Sequence, residues 1–156
     1  IVVAEQGKPI GQARGEIDAT ANFLGYAAEQ ARRIQGELLP SDNADEDVWI
    51  RRVPYGVVAA LTAWNYPSAL AGRKLGPALT AGNTVVLKGH EITPLSGIEI
   101  ARIADTLGFP AGVINVVTGP GRSVGQHLVE SRGTDLVTMT GSVRAGREIF
   151  SAAAPV

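Results

Sequence analysis

Residues 56–88 read Gly-Val-Val-Ala-Ala-Leu-Thr-Ala-Trp-Asn-Tyr-Pro-Ser-Ala-Leu-Ala-Gly-Arg-Lys-Leu-Gly-Pro-Ala-Leu-Thr-Ala-Gly-Asn-Thr-Val-Val-Leu-Lys, and their texture decides the fold. Gly56–Leu61 is short and apolar on both faces, the pattern of a buried strand. Pro67 opens a helix that runs to about Thr80, and Gly82-Asn83 stops it. Thr84–Lys88 is a second strand of the same kind.

The unit repeats downstream. Thr93-Pro94 reads as an N-cap followed by proline at the first helical position. The helix beyond carries Ile100, Ile103, Ala104 and Leu107 on one face, and Gly108 with Pro110 ends it. Val113–Val117 is a third strand, followed by the turn Gly119-Pro120-Gly121 and a helix to about Arg132. Leu136–Thr140 is a fourth strand, and a last helix starts at Ser142. Strands apolar on both faces that alternate with helices require a parallel sheet covered on both sides, so the expected fold is a doubly wound α/β domain. Ligands of such sheets bind at the carboxyl ends of the strands.

Upstream the period changes. Ile10, Ala13, Ile17, Leu24, Ala28, Ala31, Ile34 and Leu38 predict one long amphipathic helix. Pro40–Asp45 predicts a polar loop, and Val48–Val53 a short strand with a polar side.

Composition narrows the function. The chain has 156 residues, 45% hydrophobic and 19% charged, the size and balance of one folded domain. Its net charge is -1, and the basic doublets Arg32-Arg33 and Arg51-Arg52 sit among acidic residues, so no nucleic-acid partner is expected. No apolar run approaches the ~20 residues that span a bilayer and no cleavable signal is present, so the expected compartment is the cytoplasm. Cysteine is absent, which rules out a disulfide framework and a thiolate metal site. His90 and His127 stand far apart without a partner four residues on, so no metal site is expected. The chain opens on Ile1-Val2-Val3 without an initiator Met and stops at Val156 just after a helix, and is expected to be a fragment.

Each strand end carries unusual residues: Trp64-Asn65-Tyr66-Pro67, Lys88-Gly89-His90-Glu91, Gly119-Pro120-Gly121 and Thr140-Gly141-Ser142. Singly, each has an ordinary use as a cap, a surface ion pair or a turn. All four at the binding edge of one sheet point to a ligand instead. Ser142 and the first free amides of its helix suit a pyrophosphate. Gly119 and Gly121 allow close backbone approach, although Gly119–Gly125 spells GxGxxxG, one residue longer than the common dinucleotide fingerprint. Lys88 and Glu91 suit ribose hydroxyls, with Glu91 repelling a 2′-phosphate. Asn65 offers a neutral N–H donor for a developing oxyanion.

These segments resemble the aldehyde dehydrogenase superfamily. The resemblance rests on Trp-Asn-Tyr-Pro, the Gly76–Lys88 run, Phe109–Val117, Met-Thr-Gly-Ser with Gly146 four residues on, and the early Glu5-Gln6-Gly7-Lys8-Pro9. It implies a Rossmann-like domain of the aldehyde dehydrogenase type, with residues 1–45 as an N-terminal helical segment packing on it. Residues 46–54 become the start of an oligomerisation arm, and 55–156 an incomplete NAD-binding domain. Asn65 matches the oxyanion asparagine. Leu61, Trp64, Lys88, Glu91, Gly119, Gly141 and Ser142 match cofactor positions. Tyr66, Leu70 and Arg73 match the substrate tunnel. Arg73 suits a carboxylated or hydroxylated short aldehyde, as in members similar to succinate-semialdehyde or lactaldehyde dehydrogenases. Its alternative is a surface arginine beside Lys74.

Where the family usually has Lys-Pro-Ser-Glu or Lys-Pro-Ala-Glu this chain has Lys88-Gly89-His90-Glu91, a less rigid loop. The implied cofactor is NAD, with NADP used by some members that carry this glutamate. The implied assembly is a homodimer or homotetramer. The family's cysteine nucleophile and general-base glutamate match no residue here, so the chain alone is expected to be inactive. A short non-catalytic protein that binds a nucleotide or a partner is the alternative of a different class.

Overall fold

The computed structural model describes residues 1–154. A short helix α1 (Val2–Gln6) leads into α2 (Ile10–Gln30) and an antiparallel hairpin of β1 (Glu37–Pro40) and β2 (Asp47–Ile50). The alternating part follows as β3 (Val57–Leu61), α3 (Pro67–Thr80), β4 (Thr84–Lys88), α4 (Leu95–Thr106), β5 (Ile114–Val117), a π-turn at Gly121–Gly125 running into α5 (Gln126–Val129), β6 (Leu136–Met139) and α6 (Val143–Ala153).

The four later strands form one parallel sheet in the order β5-β4-β3-β6. The chain steps from β3 to β4 to β5 in one direction, then reverses past its start to reach β6. With right-handed crossovers this reversal changes the face on which the connecting helix lies, so the sheet is doubly wound as expected. The core is the inner pair. Val58, Ala60, Val85 and Leu87 pack with Ala71 and Leu75 of α3, all buried. The outer strands are only half-covered: β5 and β6 have no fully buried residue, and α6 has none either.

Four local expectations are corrected. The long helix ends at Gln30, so Ile34 and Leu38 are outside it, and Leu38 pairs with Trp49 in the hairpin. Gly36, at the open end of the hairpin, runs too close to β2 for a side chain, because a Cβ there would collide with the Ile50 carbonyl oxygen. Pro40 belongs to β1, leaving the loop to residues 41–46.

The second correction concerns the buried face of α2, which is Ala13, Glu16, Thr20 and Ala27; of the predicted apolar stripe within the helix only Ala13 is buried, with Leu24 half-buried against the core. Ile10 and Ile17 are exposed, lining an open apolar groove of about 930 Å³ with Leu24, Leu79 and Ile103. Close backbone approach decided the face. A Cβ on Gly72 of α3 would come 2.8 Å from Thr20 Cγ2, and one on Gly76 2.8 Å from Ala27 Cβ, so small residues meet small residues along the crossing.

Thirdly, Thr93 does not cap α4. Among the described residues its buried hydroxyl has no hydrogen-bond partner. The cap comes from Glu5, whose carboxylate accepts from the Leu95 amide at 2.6 Å, from the Ser96 amide at 3.1 Å and from the Ser96 hydroxyl. A carboxylate at a helix N-terminus satisfies free amides and meets the positive end of the helix dipole, which a threonine hydroxyl does only in part. Fourthly, the helix expected to reach Arg132 is a π-turn plus one α-helical turn that ends at Val129.

Candidate functional site at the carboxyl edge of the sheet

The strands end in register. Leu61 lies opposite Lys88 on one side and Met139 on the other, and Lys88 lies opposite Val117. The four segments singled out in the sequence therefore leave the sheet at one level, on one edge. The crevice where the strand order reverses falls between β3 and β6, flanked by Trp64-Asn65 and Gly141-Ser142.

After β3 the chain bends through residues 62–66 without regular structure before Pro67 starts α3. Leu61 is buried, whereas Trp64, Asn65 and Tyr66 are exposed, with Trp64 at 49% and Tyr66 at 50%. Two half-exposed aromatics flanking an exposed amide are costly to leave in water and suit a ligand surface.

After β4, Lys88 is 5% exposed and its ammonium donates to Glu91 Oε2 at 3.5 Å. Glu91 is on the surface. Slight burial works to raise its pKa, but its own backbone N–H, His90 and Lys88 outweigh that, and the carboxyl is held below its usual range. It is ionised at neutral pH. The loop, which lacks the family's proline, is closed by the Thr93 amide donating to the His90 carbonyl at 3.0 Å.

After β5, Gly119 has φ 139°, and a Cβ there would meet Val124 Cγ2 at 2.6 Å. Glycine is required at this position. The extra residue in Gly119–Gly125 is taken up by the π-turn, in which the amides of Val124 and Gly125 both turn to the Pro120 carbonyl, at 3.0 and 3.5 Å. After β6, Ser142 is the N-cap of α6, its Oγ accepting from the Ala145 amide at 3.2 Å. That leaves the amides of Val143 and Arg144, the first two of the helix, without an intrahelical acceptor.

The substrate positions divide. Leu70 and Arg73 line a cavity of about 540 Å³ together with Lys74, Thr138 and Thr140. Tyr66 is not among its walls; its ring lies instead under the Lys8 ammonium, 3.6 Å from the centroid. Arg73 is exposed and stacks over Phe23 of α2 at 5.6 Å, so α2 helps to fix it.

Three residues had no part in the sequence reading of the site. Lys74 reads in sequence only as the neighbour of Arg73. In the fold its ammonium donates to Thr138 Oγ1 at 3.1 Å, and burial, then repulsion by Arg73, pushes its pKa down to about 8. Lys8 and Glu16 form a buried ion pair of 2.6 Å beneath the Asn65 turn. The signal that marks them is an acid, Glu16, on the small-residue face of α2. Among the described residues no group of three or more His, Asp or Glu is placed to hold a metal, and no helix is long and apolar enough to cross a membrane.

Fold and edge together define an α/β domain of the nucleotide-binding kind. The chain belongs to the aldehyde dehydrogenase family, whose model matches residues 1–156. It is 43% identical to an NADP-dependent succinate-semialdehyde dehydrogenase of Escherichia coli, covering 96% of this chain and 31% of the relative. To the lactaldehyde dehydrogenase of Escherichia coli it is 42% identical over 99% of this chain and 32% of the relative. A solved structure of a 3,6-anhydro-L-galactose dehydrogenase in complex with NADP superposes with a TM-score of 0.95 at 51% identity, over 98% of this chain and 32% of that one. The chain thus spans about a third of the length of the curated relatives it matches.

Proposed function

We propose that these residues supply the cofactor cleft and the oxyanion donor of an NAD(P)-dependent dehydrogenase that oxidises a short polar aldehyde to a carboxylic acid. The observation that carries this reading is the register of the four strand ends, which gathers Trp64-Asn65, Lys88 with Glu91, the Gly119 turn and the N-terminus of α6 on one edge.

The residues fit a dinucleotide. The Gly119 turn presents backbone without a side chain, the free amides of α6 with Ser142 suit the pyrophosphate, and Lys88 and Glu91 suit a ribose. The bound cofactor would accept the hydride from the aldehyde carbon. Asn65 would donate its side-chain N–H to the carbonyl oxygen as negative charge builds there. Trp64 and Leu61 would exclude water from that corner. Lys74, with its pKa lowered to about 8, can hold or release a proton close to neutrality beside the cavity that Leu70 and Arg73 line. The family resemblance implies a cysteine nucleophile; the chain contains no cysteine, so a thiolate would have to come from outside these 156 residues.

Arg73 suits a carboxylate or hydroxyl on the substrate, in keeping with relatives named for semialdehydes and lactaldehyde. The ionised Glu91 favours NAD. The buried Lys88 beside it offsets part of that repulsion, in keeping with relatives that carry NADP in their names or complexes. The exposed hairpin, with Trp49 70% exposed, suits a subunit contact in a dimer or tetramer.

The test is aldehyde-dependent formation of NADH or NADPH, followed at 340 nm, by the complete protein that carries this chain. Turnover of succinate semialdehyde, lactaldehyde or another short polar aldehyde is expected, with none by the 156-residue chain alone. No reduction of either cofactor by the complete protein with any of a broad aldehyde panel sinks the reading. Tight nucleotide binding by such an inactive protein would favour the non-catalytic alternative.

A further inference from the structure

We propose that the buried pair Lys8–Glu16 positions Asn65 for catalysis, acting through the backbone of its turn without touching substrate; the inference rests on the functional reading above.

Both ends of the pair terminate on one turn. The Lys8 ammonium donates to Glu16 Oε2 at 2.6 Å and to the Asn65 carbonyl at 2.8 Å, and packs on the Tyr66 ring. The other oxygen of Glu16 accepts from the amides of Ser68 at 2.8 Å and Ala69 at 3.2 Å, which open α3 and lack intrahelical acceptors. Thr20, one turn along α2, donates to the Glu16 carbonyl at 2.8 Å and meets the Ser68 hydroxyl at 2.9 Å. Asn65, Tyr66, Ser68 and Ala69 are thus held at five points by three side chains from outside the sheet, Lys8 just before α2 and Glu16 and Thr20 on it.

The turn needs such a hold. Residues 62–66 form no regular structure, and across Ala63, Trp64 and Asn65 the bond from Lys8 is the one hydrogen bond to the backbone among the described residues. Lys8 and Glu16 are 7% and 2% exposed. A buried ion pair gives up two hydration shells, and an apolar pair of similar volume stabilises a fold as well or better. What an apolar pair cannot do is hold the Asn65 carbonyl and the α3 amides at fixed distances from one point. An oxyanion donor works only if its N–H is already aimed where charge develops, and a misplacement of about 1 Å is worth about 100-fold in rate.

The experiment is a double-mutant cycle in the complete enzyme. Lys8→Met with Glu16→Gln removes both charges together, leaves none unpaired, and keeps a Gln oxygen for the Ser68 and Ala69 amides. Lost is the grip on Asn65. We expect kcat to fall about 10- to 100-fold with the dissociation constant for the cofactor within threefold of the parent, and hydrogen exchange of the 64–69 segment to quicken. In an Asn65→Ala background the same pair of changes should have no further effect on kcat, because a device that acts through Asn65 has nothing left to position.

A folded variant with kcat within twofold of the parent, or an equal fractional loss with and without Asn65, overturns the proposal. If the double variant does not fold, Lys8→Met alone is read the same way: it removes the bond to the Asn65 carbonyl while Glu16 keeps the Ser68 and Ala69 amides, and a loss of about threefold or more is expected. Absence of any aldehyde oxidation by the unmutated enzyme would instead count against the functional reading.

Discussion

Two segments precede the sheet, and the protein treats them oppositely. The first, Lys8 to Ala27, is tied into the alternating domain by a buried ion pair, and Glu5 just before it caps α4. The second, the hairpin of residues 37–50, pairs with itself and both its strands are exposed throughout, including Leu38, Trp49 and Ile50. The contrast teaches where order in the site comes from. The segment that touches the functional edge is anchored by charge and by close packing of small residues. The segment that does not touch it keeps its apolar surface free.

The sharpest way to break this comparison is to remove one member of the ion pair. Glu16→Ala leaves the Lys8 ammonium buried and the α3 amides uncapped, and should cost the chain about 3–5 kcal/mol in urea denaturation. A loss under about 1 kcal/mol would show that the pair is not buried as described. The next effect is steric. Gly76→Ala drives a methyl against Ala27 Cβ, where 2.8 Å is available, and should cost about 1–3 kcal/mol by forcing α2 off α3.

A smaller effect is read from pH. Lys74 has its pKa pushed down to about 8 in the fold, so between about 8 and its ordinary value of 10.5 the unfolded chain binds more protons than the folded one. Stability should therefore rise with pH through that window. In Lys74→Met, thermal denaturation should show the rise flattened, together with a higher melting temperature than the parent at pH 7. Smallest is the hairpin. Trp49→Ser should change the stability of the chain by no more than about 0.5 kcal/mol while weakening its association in analytical ultracentrifugation. A large loss of stability would place the hairpin in the same class as α2.

The doubly wound sheet was legible because its signals are local: buried strands with no polar face, glycine and proline at helix ends, and an unusual residue at each strand's end. The register that aligns Leu61, Lys88, Val117 and Met139 follows from that alternation. What was not legible depends on contacts far apart in sequence. Apolar period alone chose Ile10 and Ile17 for the buried face of α2, because it cannot see that Gly72 and Gly76 admit only small neighbours. It also carried the helix through Leu38, whose spacing suits a helix as well as a strand. Glu5 caps a helix 90 residues away, so the nearby Thr93 was the natural but wrong choice. Lys8 and Glu16 are charged, and charge in sequence reads as surface. The family resemblance supplies the site residues that geometry alone leaves open, and Lys74 is not legible because its depressed pKa arises from burial in the fold, with Arg73 beside it.

Everything turns on Asn65 standing at the edge where the strands end, held from behind and free in front. The most direct measurement is the turnover of the complete enzyme with Asn65→Ala, at saturating aldehyde and cofactor. Loss of the oxyanion donor should lower kcat about 100- to 1,000-fold while cofactor affinity stays within threefold of the parent. A kcat within threefold of the parent would contradict the account.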